Sequence, residues 1–254
     1  MLPNEITYKD IEQLPLVHGN FSLSERLKSI REIGLIPKYS NNITPIDHCA
    51  RKQDCVFLRL ARTYYNYGNG ELLIIDPSIL ENANIQYYTI DLERIGNEIL
   101  RFIQNQHNIL AAHIRNKDFL LQIIVNTRSQ LALPELENID IKNSNKLFDT
   151  MVKSSIFSEY LRSYLVSKNE MYSLLASKWK NTACNASNFF TRHPFSQEWQ
   201  VNEEICVPMK IEPRYILGFW NRQVYSDFGI PVSSRKKEIN DFFVECLYSQ
   251  KVAT

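Results

Sequence analysis

Glycine is scarce in this chain, with seven among 254 residues. Neither a P-loop nor a Gly-x-Gly-x-x-Gly stretch is present, which excludes the common phosphate-cradling loops. Each glycine that remains marks a place where the backbone has use for one. Cysteine is also sparse: Cys49, Cys55, Cys184, Cys206 and Cys246 are odd in number and scattered. That pattern excludes a disulfide framework and reads as reduced thiols. His48-Cys49 with Cys55 has the wrong spacing for a zinc knuckle, and no second pair completes four ligands, so no metal is expected. Cys184 and His193 do not make a thiol nucleophile, because nothing orients the imidazole. Long apolar runs are missing too. The strongest, Leu72 to Ile75 and Phe119 to Val125, are far shorter than a membrane span, so no membrane contact is expected. The opening Met-Leu-Pro-Asn-Glu-Ile has no basic segment followed by an apolar one; no secretory signal peptide is read, and a cytoplasmic location is expected. A net charge of +1 gives no general attraction to nucleic acid or membrane, and Arg235-Lys-Lys237 reads as a solvated helix start.

What is present is ordinary globular material, 44% hydrophobic and 22% charged. No repeat, low-complexity tract or Pro/Gly/Ser linker divides the chain, so residues 1–254 are read as a single domain. Leu14 to Val17 reads as a short strand. Ser22-Leu-Ser-Glu25 has the form of a capping box, followed by Leu23, Leu27 and Ile30 at helical spacing, with Gly34 as a left-handed C-terminal cap. Cys55 to Leu60 and Glu71 to Ile75 read as strands, the second stopped by Asp76-Pro77. From Asp91, apolar residues at Leu92, Ile95, Ile99, Phe102 and Ile103 predict an amphipathic helix running towards Ile109. Lys117 to Val125 fits a helix or a strand. Phe148 to Lys180 reads as helical, with Phe157, Leu161, Tyr164 and Leu165 on one stripe. Glu203 to Val207 and Arg214 to Trp220 read as strands. Helices interleaved with short strands predict an α+β domain.

Three separated stretches look related to one task. The first is Val17-His18-Gly19 at a strand end, followed by the helix closing on Ile33-Gly34-Leu35. The second is Asp54-Cys-Val-Phe57-Leu, followed by an aromatic turn with Tyr64, Tyr65 and Tyr67. The third is Asn202-Glu-Glu204-Ile-Cys-Val-Pro208, followed by Ile211-Glu-Pro-Arg-Tyr-Ile216. Alternation along the third puts Asn202, Glu204 and Cys206 on one face, and Glu203, Ile205 and Val207 on the other. Ile205 and Val207 read as core-facing, which leaves Glu204 towards a cleft, with Glu203 the alternative if the register slips by one.

In order and spacing these stretches resemble the ADP-ribosyltransferase superfamily, in its histidine–aromatic–glutamate branch, over roughly residues 14 to 220. The third stretch is similar to DarT-type DNA ADP-ribosyltransferases, whose glutamate strand is followed by Ile-x-Pro-x-Tyr-Ile. No single piece is specific; their ordered conjunction carries the resemblance. It implies a split β-sheet core with inserted helices, and an enzyme that cleaves NAD and transfers ADP-ribose to a macromolecular acceptor. Such chemistry breaks a glycosidic bond through an oxocarbenium-like transition state. It calls for a carboxylate near the developing positive charge, an aromatic face for nicotinamide and donors for sugar and pyrophosphate. Nicotinamide departs neutral, so no second acid is required.

On that resemblance Glu204, His18 and Phe57 are the expected catalytic residues. His18, Gly19, Asn20, Phe57, Tyr64, Tyr65 and Arg51 would bind NAD: the histidine holds a ribose hydroxyl, the glycine lets the backbone approach the nicotinamide amide, and one arginine from the group Arg51, Lys52, Arg59 and Arg62 meets the pyrophosphate. Asn202, Phe190 and Trp199 would contact the acceptor. Each has a plainer alternative: a backbone-bonded turn histidine, a core aromatic at Phe57, packing tyrosines, solvated arginines. Asn202 stands where some transferases carry Glu or Gln, which leaves the acceptor open. The near-zero charge favours a protein acceptor, and the DarT-like ending favours DNA. The expectation is a protein target and a bacterial toxin or effector role, acting in the cytoplasm or secreted into a host cytosol without a cleavable signal. A catalytically silent NAD- or partner-binding module on the same fold is the other reading.

Overall fold

The computed structural model describes residues 12, 16–20, 23–37, 45–51, 54–60, 71–81, 84–105, 110–111, 113–181, 204–220 and 225–227. In chain order the elements are β1 (Leu16–Asn20), a 3-10 turn (Ser24–Arg26), α1 (Leu27–Ile33), α2 (Pro45–Arg51), β2 (Val56–Leu60), β3 (Glu71–Ile75), β4 (Gln86–Tyr88), α3 (Leu92–Asn105), α4 (Lys117–Gln130), α5 (Ile141–Val152), α6 (Ser155–Arg162), β5 (Leu165–Val166), α7 (Lys168–Asn181), β6 (Glu204–Val207), β7 (Ile216–Trp220) and β8 (Tyr225–Asp227). The fold class is α+β with an antiparallel sheet. Two compact units interleave along the chain: Met1–Pro37 with Cys55–Tyr87 and Ser167–Thr254, and Lys38–Asp54 with Tyr88–Val166.

The first unit is built on strands in the order β4-β6-β2-β1-β3-β7-β8, part of an eight-stranded sheet in which β5 follows β4. Leu72 to Ile75 is a continuous apolar run, and all four residues are buried. A strand covered on both faces needs apolar side chains in both directions. α7 packs through Met171, Tyr172 and Leu175, all buried; Tyr172 meets Tyr87 edge-on, with ring centroids 6.4 Å apart.

The entry to α1 differs from the capping box expected at Ser22 and Glu25. Ser22 lies outside the described residues, a 3-10 turn precedes the helix, and neither has a side-chain cap. The Ser24 amide is instead satisfied from β3, donating to the Glu71 carboxylate at 2.6 Å. Gly34 does take positive φ, but with φ 82° and ψ −165° it is more extended than a left-handed helical cap. Its N–H still bonds the Ile30 carbonyl at 2.8 Å. The extended ψ turns the chain into a two-way bridge: Leu35 and Ile211 exchange N–H···O bonds of 2.9 Å each. A Cβ on Gly34 would run into the Ile211 carbonyl oxygen, so only glycine passes here.

The second unit is helical. Asp91 caps α3 by accepting from the Glu93 amide at 2.9 Å; of the expected stripe Leu92, Ile95, Ile99 and Ile103 are buried and Phe102 half-buried, while Ile109 lies outside the described residues. The Lys117 stretch is a helix, running on to Gln130. The single helix expected over Phe148 to Lys180 is instead three helices and a short strand. Serines cut it. The Ser154 Oγ accepts from the Phe157 amide at 3.2 Å and starts α6; Ser163 Oγ donates to the Tyr160 carbonyl at 2.6 Å as α6 ends; and Ser167 Oγ accepts from Glu170 N at 3.1 Å to start α7. Serine offers the backbone an alternative to the helical ladder, which apolar periodicity does not register. Past the end of α6, Tyr164 is buried in a network of its own. The Tyr160 hydroxyl donates to the Arg115 carbonyl at 3.0 Å, and the Arg115 amide donates to the Tyr164 hydroxyl oxygen at 2.9 Å. Burial pushes both phenols above their ordinary pKa, Tyr160 the further.

Candidate active site

β1 pairs with β3 along its whole length, from Leu16 opposite Ile75 to Asn20 opposite Glu71. Its ladder with β2 is shorter: Leu16 faces Leu60, Val17 faces Arg59, and the pairing ends there. Beyond that point a strand carbonyl needs another donor. His18 supplies it, its Nδ1–H donating to the Phe57 carbonyl oxygen at 2.9 Å. A carbonyl only accepts, so this contact places a proton on Nδ1.

The charge on the ring follows from its surroundings. His18 is partly exposed by surface area, yet burial is the largest influence on the imidazole and lowers its pKa below 6.5; the bond to Phe57 acts the other way, and the Arg26 charge adds to the lowering. At neutral pH the ring is therefore uncharged, with Nδ1 protonated and a lone pair on Nε2. In that tautomer Nε2 can accept a hydrogen bond from a hydroxyl.

On the other side of β2, Phe57 stands opposite Cys206 and Leu58 opposite Ile205. Continuing the register by one residue sets Glu204 opposite Arg59. Opposed residues of an antiparallel pair share a face, and successive residues alternate. Val17, Arg59 and Glu204 thus form one row across β1, β2 and β6, on the same face as Phe57 and Cys206. By the same alternation His18 belongs to the opposite face. Its bond to the Phe57 main chain draws the ring towards the place where β1 and β2 part.

Glu204 and Arg59 each keep 7% of their surface exposed, and all four residues of β6 are buried. Alternation along Asn202 to Val207 predicts one open face for this strand. With all four of its residues buried, β6 is covered on both faces, and Glu204 is buried where the alternation places it towards a cleft. Arg59, read from the sequence as one of a basic group near the second stretch, is a buried strand residue. Its place in Val56-Phe-Leu-Arg-Leu60, at a position whose neighbours on both sides are apolar, is the signal that could have set it apart from Arg51, Lys52 and Arg62.

The strands carrying the three stretches are neighbours, in the order β6-β2-β1. The Leu35–Ile211 bridge also ties the end of the first stretch to the tail of the third. Gly19 is exposed, and Asn20 ends β1. Arg51 ends α2 in the second unit, its side chain outside the described residues. Tyr64, Tyr65 and Tyr67, together with Phe190, Trp199 and Asn202, lie outside them as well. Among the described residues, no group of three or more His, Cys, Asp or Glu could hold a metal ion, and no helix is long and apolar enough to cross a membrane. No protein-family model and no curated protein matches the chain.

Proposed function

We propose that the chain is an NAD-consuming mono-ADP-ribosyltransferase with a protein acceptor, built on a split-sheet core of the ADP-ribosyltransferase type. The observation that carries this reading is the early end of the β1–β2 ladder at Val17. There His18 is neutral with its Nε2 lone pair unprotonated, and Phe57 and Glu204 stand on the next two strands of the sheet. His18 accepts a hydrogen bond from a ribose hydroxyl through Nε2, Phe57 offers its face to nicotinamide, and Glu204 favours the positive charge that develops on the ribose ring. The bond between ribose C1′ and the nicotinamide nitrogen breaks, and the electron pair leaves with nicotinamide, which departs neutral. The acceptor's nucleophile bonds to C1′ and releases its proton.

Glu204→Gln keeps the side chain's shape and removes its charge. In the folded variant, whose amide oxygen still accepts a hydrogen bond, label transfer from NAD tagged on the ADP-ribose portion should fall by about 10²–10³-fold. A folded variant that labels its acceptor at the wild-type rate would remove Glu204 from the mechanism. Label appearing in the DNA fraction of a lysate instead of the protein fraction would reassign the acceptor.

A further inference from the structure

We infer that Arg59 is the counter-ion of Glu204, a positioning residue that keeps the carboxylate ionised and aimed. The inference rests on the proposed role of Glu204 for its functional consequence, and on the sheet alone for the pairing. Burying either charge by itself is costly, and a lone buried carboxyl takes up a proton instead of staying charged. Both residues are buried to the same degree, and the register that ends on Leu58 with Ile205, continued by one residue, sets them opposite one another. At such positions Cβ atoms lie about 4.5–5.5 Å apart, a span that a guanidinium and a carboxylate bridge with room to choose a bidentate geometry.

Among the described residues of β1, β2 and β6, Glu204 is the acid on the face of Arg59. On its other side in the row stands Val17. Asp76, also buried, follows β3, a further strand away, and its Oδ1 accepts from the Ser78 amide at 2.8 Å. The titratable groups on this face of β1, β2 and β6 are Arg59, Glu204 and Cys206. A glutamate tied in this way cannot swing to follow a bound ligand, so its carboxylate is preorganised for charge that appears only during bond cleavage. Arg59 thus serves the transition state through Glu204, not by gripping the pyrophosphate.

Two measurements on the full chain test this. The first needs no activity: the Glu204 side-chain carboxyl, labelled with ¹³C and assigned by its loss in Glu204→Gln, is titrated by NMR in the wild type and in Arg59→Met. The titration midpoint should rise by about one pH unit or more in the variant; an unchanged midpoint overturns the pairing. If Arg59→Met does not fold, the double variant Arg59→Met/Glu204→Gln should regain the fold, because removing both partners of a buried pair is tolerated where removing one is not. Failure of the double variant to recover counts against the pairing. The second measurement separates positioning from grip. Arg59→Met should lower kcat about a hundredfold with KM for NAD changed less than about threefold, and Arg59→Lys should restore part of kcat. A rise in KM at constant kcat would show that Arg59 holds NAD directly. A wild type that never releases nicotinamide would sink the transferase reading while the carboxyl titration still decides the pairing.

Discussion

His18 stands where two ladders separate, and its protonation is tied to that position. With its folded pKa held below the ordinary 6.5 by burial, the unfolded chain binds the proton first as pH falls. Stability from this group is therefore complete above pH 6.5 and is lost as pH drops from there through the folded pKa. The urea midpoint of the wild type should fall across that window more steeply than that of His18→Gln; parallel curves would mean that the ring is not held neutral. Gly34 makes a second residue-scale case. Its positive φ and its approach to the Ile211 carbonyl leave no room for a methyl group. Gly34→Ala should cost about 2 kcal/mol or more in denaturant unfolding, and a loss below about 0.5 kcal/mol would show that the bridge gives way freely. Arg59 was the residue least legible in advance: a charge count groups it with its basic neighbours, and only the opposing strand explains its burial.

At the scale of elements, the sequence was most readable where one period runs unbroken. β3 matches its apolar run residue for residue, and α3 carries the stripe expected from Asp91 onward. The misreadings fell where short polar side chains compete for the backbone. Ser154, Ser163 and Ser167 divide what apolar spacing presents as one helix, and a carboxylate from β3 replaces the cap expected before α1. Hydrogen bonds to such groups depend on geometry that a hydrophobic pattern does not encode. Ser154→Ala should therefore cost about 1 kcal/mol by urea unfolding, and Ser154→Asp should restore most of it. Equal stability of all three proteins would show that tertiary packing alone breaks the helix there. Within the candidate site, the neighbouring of β6, β2 and β1 could be anticipated only through the resemblance. The facing of the side chains could not, because one step of register reverses it.

At the scale of the whole molecule, the described part of the proposed donor site draws on the sheet unit alone: His18, Gly19, Phe57 and Glu204 all belong to it. The helical unit arises from two stretches inserted between its strands, which explains why no linker marks the division in the sequence. With a net charge of +1, the molecule offers no overall electrostatic attraction to nucleic acid, and the proposed acceptor is accordingly a protein. The measurement that bears most directly on the central claim is nicotinamide release from NAD by the purified chain in a lysate, with and without Glu204→Gln. The wild type should release nicotinamide in step with ADP-ribose appearing on protein, and the folded variant should do neither. Nicotinamide released equally by both proteins, or by neither, would contradict that claim.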